Sequence, residues 1–462
     1  MATARARYRG PVTVDDAATR TLSTGGRVAL GWVDADGRSA VAAPTSTAAY
    51  DLLPPLRRRR RVRARIIGIP VLVVFVLAGA YSGAMLLWPL SSVEVTAKAG
   101  EAPRLSGAAS SIAWPAEGEA AVGVDGFRSA TSSDDRVQMA STAKLVTALV
   151  VLDRKPLTTG EQGPAYDFTF ADRQEYWRYV SQNQSALNVP NDGSLTEYQM
   201  LQGMLMASAS NYANRLATDA FGSVDDYASA ANSWLGENGL DGITVTDASG
   251  YGRDNVATPS AMVALAEKAM ENPVIAEIVG TKTAELPGAG SFENTNALLG
   301  VDGVVGLKTG SFAGYNNLIA AKRVDANGAP LTVFAAVTGQ PTSSARLEET
   351  ERLLDAVAAE AGTPSTLSAG TVVGEVTTAW GATSRLLTEK DASLLLWNGA
   401  TAESTTSFDV DANAAAGSDA GTLTVTGPNG EAQVPVTIEK ALPGPDAWWR
   451  LTHPIELTGI GG

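Results

Sequence analysis

The sequence predicts an α/β region preceded by one transmembrane helix and followed by a small all-β domain. Three observations carry this prediction. An uncharged apolar run covers residues 66–88, and helical and strand patterns alternate between about residues 120 and 360. After Pro364, short strands are separated by turns rich in Gly, Pro and Asp. The chain of 462 residues is long enough for two or three such domains.

The N-terminal segment 1–65 lacks apolar periodicity, and we expect a disordered cytoplasmic tail that ends in an arginine cluster at 57–65. Its 13 Arg and 5 Asp give it a formal charge of +8, so the remaining residues carry −22 of the total of −14. Such an acidic main body argues against nucleic acid or an anionic membrane surface as its main ligand.

The apolar run of 23 residues predicts a transmembrane helix, placed at residues 66–90. As a helix it would be about 34 Å long, which is enough to span a bilayer. The arginine cluster at its N-terminal end should stay in the cytoplasm, which sends everything after Leu90 to the outside. The run is too long, and starts too late, for a cleaved signal peptide. We therefore expect a single-pass protein of the cell membrane, with the lipid bilayer as a partner.

The remainder of the chain divides into three parts: a linker at 91–108, an α/β domain at 109–362 and an all-β domain at 365–462. Apolar spacing and turn residues predict the elements of the middle part. One predicted helix begins at Ser141. The others cover residues 172–180, 195–219, 258–270 and 344–361, and the second of these ranges has an expected interruption near 208–211. The predicted strands cover 120–124, 166–170, 304–310, 318–322 and 331–337.

Two composition facts limit the chemistry. The absence of cysteine excludes disulfides, thiolate metal sites and cysteine nucleophiles. The single histidine, His453, excludes histidine clusters for zinc, and a Ser-His-Asp triad would need that residue. It lies in a segment, 449–454, that we expect to be a final strand, where it packs or faces solvent. Hydrolase chemistry here must therefore use Ser, Lys, Tyr, Asp or Glu, and we expect no metal or organic cofactor.

The first chemical motif is Ser141-x-x-Lys144, at the start of a helix whose apolar residues recur with helical spacing. The spacing of three places the lysine amine on the same face as the serine hydroxyl. A serine is a poor nucleophile unless a neighbouring base takes its proton. A lysine desolvated by apolar neighbours has a lowered pKa and could be that base. By itself the motif is also explained by a helix cap beside a solvated lysine.

Two further motifs follow in order: Ser208-Ala209-Ser210 and Lys308-Thr309-Gly310. Each has a simple structural explanation, as a loop serine and as a strand end. Together with the first motif they resemble the signature of the penicillin-binding proteins. The segments 201–213, 294–300 and 303–310 resemble the serine D-alanyl-D-alanine carboxypeptidases, the low-molecular-mass branch of that superfamily.

The resemblance covers about residues 110–460 and implies a fold and an activity. The fold is a mainly antiparallel sheet flanked by helices, with a helical subdomain that carries the middle motif. The activity is removal of the terminal D-alanine from peptidoglycan stem pentapeptides through an acyl-enzyme on Ser141. The stem peptides are the implied substrates, and β-lactams are the implied inhibitors, since they would trap the same serine.

The resemblance also implies a role for each motif residue. Lys144 takes the proton of Ser141, and Ser208 relays a proton to the departing D-alanine. On the third motif, Lys308 and Thr309 hold the terminal carboxylate of the substrate. The backbone N–H groups of Ser141 and Ser311 form the oxyanion hole.

The second motif departs from the family pattern Ser-x-Asn. Its third position is Ser210, and Asn211 follows one residue later. Either Ser210 replaces the asparagine with a shorter hydrogen-bonding group, or a shifted backbone brings Asn211 to the substrate. Both are candidate substrate-binding residues, together with Lys308 and the segment 309–311.

Three alternatives remain open at this stage. A β-lactamase would need a second base; the segment 184–188 mimics the Glu-x-x-Leu-Asn pattern, but with Gln184 in place of Glu and ahead of Ser208. A cell-wall sensor that binds penicillin without turnover is suggested by Ser210 and by the cytoplasmic tail. A transpeptidase differs only in the acceptor that replaces water, which the motifs do not decide.

Overall fold

The computed structural model describes residues 58–90, 93–326 and 328–460, with side chains from residue 66 onward. Of the disordered tail expected at 1–65, residues 1–57 lie outside the described residues; residues 58–65 are helical instead, because they extend the apolar helix at its N-terminal end. Helix α1 covers Arg58–Leu87. Its segment Ile66–Leu87 has 22 residues, is apolar and is largely exposed, with Met85 near its end buried against other parts of the chain. By length and composition it could cross a membrane, which is compatible with the predicted single-pass anchor.

The remaining elements follow in chain order. The helices are α2 Lys144–Arg154, α3 Phe170–Ser181, α4 Glu197–Met206, α5 Ser210–Phe221, α6 Val224–Glu237, α7 Pro259–Glu271, α8 Pro273–Val279, α9 Ser343–Ala361, α10 Ala447–Thr452 and α11 Pro454–Thr458. The strands up to residue 340 are β1 Val95–Ala99, β2 Leu105–Ser106, β3 Glu119–Val124, β4 Ala130–Thr131, β5 Val137–Gln138, β6 Ala165–Phe168, β7 Gly193–Thr196, β8 Ile243–Thr244, β9 Val256–Ala257, β10 Thr283–Leu286, β11 Gly290–Glu293, β12 Val304–Phe312, β13 Tyr315–Ala326 and β14 Ala329–Gln340. The later strands are β15 Ser365–Leu367, β16 Val372–Thr378, β17 Thr383–Thr388, β18 Ala392–Leu394, β19 Thr401–Phe408, β20 Asp419–Gly427 and β21 Gly430–Ile438.

The central sheet is antiparallel and has the order β12-β13-β14-β3-β4. Its strands are apolar on both faces because helices cover both sides. On β13, for example, Ile319 packs into the core shared with α2 and α4–α8, whereas Leu318 and Ala320 pack into the core on the side of α9. This arrangement confirms the predicted fold class, an α/β domain with a mainly antiparallel sheet.

The long predicted helix at 195–219 is divided where the sequence suggests an interruption. Helix α4 ends at Met206 and α5 begins at Ser210. Between them Ser208 has a φ of 65°, a left-handed conformation that a helix interior does not contain. The second motif therefore lies at a sharp break between two buried helices.

The expected linker at 91–108 is instead part of the C-terminal sheet. Strand β1 pairs with β16 and β2 pairs with β19, so they form the two edges of a seven-stranded antiparallel sheet, β1-β16-β17-β21-β20-β19-β2. These strands have five and two residues. Such short segments, with Ala, Lys and Ser between the apolar residues, carry little strand signal until a partner strand is present.

The expected final strand around His453 is also wrong. The segment forms two short helices, α10 and α11, with His453 between them. Asp446 caps α10 by accepting a hydrogen bond from the backbone N–H of Trp449, and Pro454 begins α11. The ring of His453 stacks on Trp449, with centroids 4.9 Å apart, so this histidine packs against an aromatic ring.

Candidate functional site

The first motif lies where a tight turn enters a buried helix. Ser141 is in the 3₁₀ turn Ala140–Ala143, and Lys144 is the first residue of α2. The turn is entered through Ala140, which has a φ of 49°. Lys144 Nζ lies 2.9 Å from Ser141 Oγ, so the expected contact between amine and hydroxyl is present.

Lys144 is completely buried, although it carries an amine. Its Nζ also donates a hydrogen bond to the backbone carbonyl of Ser249, at 2.6 Å. Burial lowers the pKa of Lys144 to about 7, and the charge of Asp247 opposes part of that shift. Near neutral pH a large fraction of this amine is therefore unprotonated and able to accept a proton.

Asp247 holds the loop that presents the Ser249 carbonyl to the lysine. One carboxylate oxygen accepts hydrogen bonds from the backbone N–H groups of Ser249 and Gly250, and the other from those of Gly252 and the Asn255 side chain. Burial alone would raise the pKa of Asp247, but the hydrogen bonds from Ser249, Asn255 and the loop backbone outweigh it and lower the pKa. The segment is recognisable as a turn, since Asp often bonds to its own following backbone. No sequence signal connects it to Lys144.

The two serines of the second motif occupy different environments. Ser210, the first residue of α5, lines a cleft together with Ser141. Ser208 is buried at the break before α5, and within the described part of the chain its hydroxyl makes no hydrogen bond to Ser141 or Lys144. Ser210 therefore lines the cleft, whereas Ser208 does not.

Asn211, the other candidate of this motif, contacts a neighbouring loop. Its Nδ2 donates to the carbonyl of Leu187 at 2.8 Å, and its Oδ1 accepts from the N–H of Leu187 at 3.2 Å. Both ends of the amide are thus used by a neighbouring loop, away from the residues that line the cleft. Ser210 lines the cleft and Asn211 is engaged by the loop around Leu187; that either residue contacts substrate stays a prediction.

The third motif lies on β12, beside the turn that carries Ser141. A Cβ atom at Gly310 would lie 2.9 Å from the carbonyl oxygen of Met139 and 3.1 Å from the backbone nitrogen of Ser141. Only glycine allows the strand to pass this close. The next residue, Ser311, is exposed and lines the cleft, whereas Thr309 is buried and its hydroxyl lies 2.7 Å from that of Thr295.

Lys308 is a buried cation without a carboxylate partner among the described residues. Its Nζ donates only to the carbonyl of Thr309, at 3.1 Å. Burial, followed by the nearby charges of Lys144 and Arg346, holds the pKa of Lys308 well below its ordinary value. An anionic ligand beside this amine would favour its charged form.

Arg346, on α9, adds a second cation that sequence reasoning missed. Its Nη1 donates to Ser311 Oγ at 3.0 Å and lies 3.4 Å from the carbonyl oxygen of Gly310. Nη2 donates to Ser343 Oγ at 2.8 Å. An arginine inside an amphipathic helix gives no signal of its own, and it is 38 positions from Lys308 in the chain.

The cleft has a volume of about 360 Å³ and is open to solvent. It is lined by hydroxyl and amide groups, by aromatic rings and by no Asp, Glu, Lys, Arg or His among the described residues. Tyr251 and Phe312 meet edge to face across it, with ring centroids 5.6 Å apart. The segment 182–185 forms one wall, which includes Gln184.

Comparison with protein families gives a match for residues 129–338 to the family model of the D-alanyl-D-alanine carboxypeptidases. Among solved structures, the Streptomyces K15 DD-transpeptidase is similar with a TM-score of 0.47 and 24% identity, over 53% of this chain and 98% of the other. The D-alanyl-D-alanine carboxypeptidase DacD from Francisella tularensis has a TM-score of 0.47 and 16% identity, over 73% and 96% of the two chains. Comparison with curated proteins gives no match.

Proposed function

We propose that Ser141 is the nucleophile of this chain, whose residues 129–338 belong to the D-alanyl-D-alanine carboxypeptidase family. The chain is a serine D-alanyl-D-alanine carboxypeptidase, with peptidoglycan stem peptides as its substrate class and β-lactams as ligands. One observation carries the assignment of the nucleophile. Ser141 Oγ is within hydrogen-bond distance, 2.9 Å, of an amine whose pKa burial lowers to about 7.

In the proposed acylation step, Ser141 Oγ attacks the carbonyl carbon of the penultimate D-alanine while neutral Lys144 accepts the hydroxyl proton. Collapse of the tetrahedral intermediate breaks the peptide bond and releases D-alanine, whose nitrogen must gain a proton. We assign the relay of that proton to Ser208, as the motif implies. Because Ser208 does not line the cleft and Ser210 does, we propose that Ser210 carries the proton between Ser208 and the substrate. Water then attacks the ester and regenerates Ser141.

The carboxylate of the terminal D-alanine is proposed to bind at the third motif. Lys308 and Arg346 supply positive charge there, and among the described residues neither has a carboxylate partner that would compete. Thr309 supplies a hydroxyl. Charge-assisted hydrogen bonds of this kind are about twice as strong as neutral ones. Neither cationic side chain lines the cleft itself, but Ser311 does and accepts a hydrogen bond from Arg346, and this contact supports a carboxylate site at that edge of the cleft.

We propose the backbone N–H groups of Ser141 and Ser311 as the oxyanion hole. The close approach at Gly310 supports this proposal, because it brings β12 against the turn that carries Ser141. One such donor typically contributes about 3 kcal/mol to the stabilisation of a transition state.

The β-lactamase alternative lacks a second base. No Asp or Glu is among the described residues that line the cleft, and the wall segment 182–185 offers amides, with Gln184 Nε2 donating to Gln182 Oε1 at 3.0 Å. An amide does not accept a proton from water at neutral pH. We therefore expect penicillin to be released slowly after it acylates Ser141.

We further propose the division of the chain into a cytoplasmic tail at 1–65, a membrane anchor at 66–90, a catalytic domain at 109–362 and a C-terminal domain at 365–462. The arginine cluster before the anchor favours a cytoplasmic N-terminus, which leaves the catalytic domain outside, where peptidoglycan is. Strands β1 and β2 assign the segment between anchor and catalytic domain to the C-terminal sheet.

The function is tested by measuring D-alanine release from a stem pentapeptide beside hydrolysis of the chromogenic β-lactam nitrocefin. We expect D-alanine to be released catalytically, and nitrocefin to be consumed in about one equivalent followed by slow turnover. Mass spectrometry after penicillin should find one adduct, on the peptide that contains Ser141. Rapid multiple turnover of nitrocefin would favour a β-lactamase, and an adduct without D-alanine release would favour a sensor.

The pH dependence of penicillin acylation reports the state of Lys144. Only the neutral amine accepts the serine proton, so the rate should be maximal above the lowered pKa of about 7 and fall as pH decreases through it. One pH unit below that value the rate should be about tenfold lower. The charge of Asp247 acts on this amine and opposes part of the shift. A stopped-flow rate constant that is flat between about pH 5 and about pH 8 would contradict the assignment of the base.

A further inference from the structure

We infer that Arg253 forms a subsite at the rim of the cleft for a carboxylate on the side chain of the third stem residue, the one that precedes the two D-alanines. This inference rests on the proposed function and defines the substrate class of the same site more closely. Tyr251 and Phe312 line the cleft together with Ser141, and Arg253 follows Tyr251 by two residues in the same loop. We call Tyr251, Arg253 and Phe312 the rim cluster.

The rim cluster joins the end of β12 to the loop that Asp247 holds. Phe312 is the last residue of β12, and the backbone N–H of Gly252, between the other two members, donates to Asp247. The ring centroids of Phe312 and Tyr251 are 5.6 Å apart, and the guanidinium carbon of Arg253 lies 5.4 Å from the Phe312 centroid. A cation within about 6 Å of a ring centroid is attracted to the negative face of the ring. The guanidinium is therefore held beside the wall of the cleft that Phe312 forms.

Arg253 is an exposed cation without a partner of opposite charge. Within the described part of the chain it forms no hydrogen bond and no ion pair, not even with the adjacent Asp254, and its one specific contact is the Phe312 ring. An arginine side chain has five N–H donors. A carboxylate that reaches the rim therefore meets donors that the protein itself does not use.

The proposed binding mode determines which part of the substrate reaches the rim cluster. The terminal carboxylate binds at Lys308 and Thr309, and the reacting carbonyl lies at the N–H of Ser311. A strand rises about 3.3 Å per residue, so Phe312 is about 10 Å beyond Thr309 on β12. An extended peptide advances by up to about 3.5 Å per residue. The third residue from the carboxyl end therefore lies beside Phe312, with its side chain within reach of the rim.

The chemistry of the rim cluster suits a long side chain that ends in a carboxylate. The rings of Tyr251, which is 45% exposed, and of Phe312 offer apolar surface to methylene groups. The planar fork of a guanidinium binds a carboxylate through two parallel hydrogen bonds, which are stronger than those to a neutral group. A carboxamide at the same place lacks the charge, and an amine is repelled. We therefore expect the chain to prefer a third stem residue with a free side-chain carboxylate.

The test compares D-alanine release by the full-length protein from three pentapeptides. In the first, the third residue is meso-diaminopimelate, whose side chain ends in a carboxylate. In the second, that carboxylate is a carboxamide, and in the third the carboxamide is on the second stem residue instead. We expect kcat/KM to be about tenfold lower for the second peptide than for the first, the effect of losing one hydrogen bond to a charged group. The third peptide should react like the first.

Two variants of the same residue connect this preference to the rim. Arg253→Gln should reduce the ratio of kcat/KM between the first and second peptides to about one, because the charge is lost. Arg253→Lys keeps the charge without the fork and should retain part of the preference. The matched control is Arg154→Gln, which changes the net charge equally. Arg154 is exposed, forms no ion pair among the described residues and ends α2, ten positions after Lys144, so the full preference should remain.

A ratio that is unchanged in Arg253→Gln would overturn this inference. Equal rates for the first and second peptides in the unaltered protein, or a preference that follows the second stem residue, would also overturn it. In these cases, D-alanine release that depends on Ser141 would leave the proposed function in place. Absence of release from all three peptides, in a protein that penicillin still labels at Ser141, would refute the proposed turnover and this inference with it.

Discussion

Replacing Ser141 by alanine should abolish both D-alanine release and covalent labelling by a fluorescent penicillin. The hydroxyl is the only group in the proposed mechanism that forms a bond to the substrate, and loss of a serine nucleophile typically lowers the turnover rate by about six orders of magnitude. Binding at the third motif is retained, because Lys308 and Arg346 are unchanged. We therefore expect a folded protein that binds β-lactams reversibly and carries no adduct in a mass spectrum.

The matched control is Ser260→Ala. Ser260 is also a half-buried serine with one hydroxyl contact, at 3.2 Å from Thr258 Oγ1, and it lies on α7 outside the cleft. This variant should label and turn over like the unaltered protein. A change in thermal unfolding shared by both variants would indicate a general structural effect. Labelling of Ser141→Ala at the normal rate would place the nucleophile on another residue and end the proposal.

Replacing Lys144 by methionine should lower the acylation rate constant by about three orders of magnitude, the usual contribution of a general base. Methionine has similar length and no charge, so it fills the buried site without the cost of burying an amine. The labelling reaction should still reach completion after long incubation, since Ser141 remains. The residual rate should also lose the decrease below about pH 7 that Lys144 causes in the unaltered protein.

Lys144→Arg separates the proton-accepting role from the charge. Arginine keeps the positive charge but is not deprotonated in proteins, so the Lys144→Arg variant should acylate as slowly as the Lys144→Met variant. Lys268→Met, which removes an exposed lysine paired with Glu271 on α7, is the control and should have a normal rate. An arginine variant that acylates at nearly the normal rate would mean that Lys144 acts only through its charge.

Much of the fold was accessible from the sequence because its signals are local. The break between α4 and α5 was predicted from four residues around Ser208, and the start of α2 from apolar spacing. Errors occurred where pairing depends on distant chain segments. Strands β1 and β2 are held by partners almost 300 residues away, so their short patterns were taken for a linker. Around His453, the aromatic and apolar residues suggested a strand, but the cap at Asp446 and the proline at 454 favour helices.

The candidate site shows the same division. The pair Ser141 and Lys144 is three residues apart, and the helical repeat alone places the two side chains together. Asp247 and Arg346, by contrast, act on residues 103 and 38 positions away, and nothing in their local sequence indicates that contact. The choice between Ser210 and Asn211 was also undecidable from the sequence, because it depends on which side chain the loop around Leu187 engages.

The sequence by itself determined the type of chemistry: with no cysteine and one histidine, three spaced motifs left serine and lysine as the reacting groups. Only the tertiary structure decided that Lys144 is fully buried, that Arg346 lies near Lys308 with no carboxylate bound to either among the described residues, and that α10 is hydrogen-bonded to the end of α1. The physical reason is that the helical repeat is encoded within a few residues. Burial and the pKa shifts that follow from it are set by segments that meet only after the chain has folded.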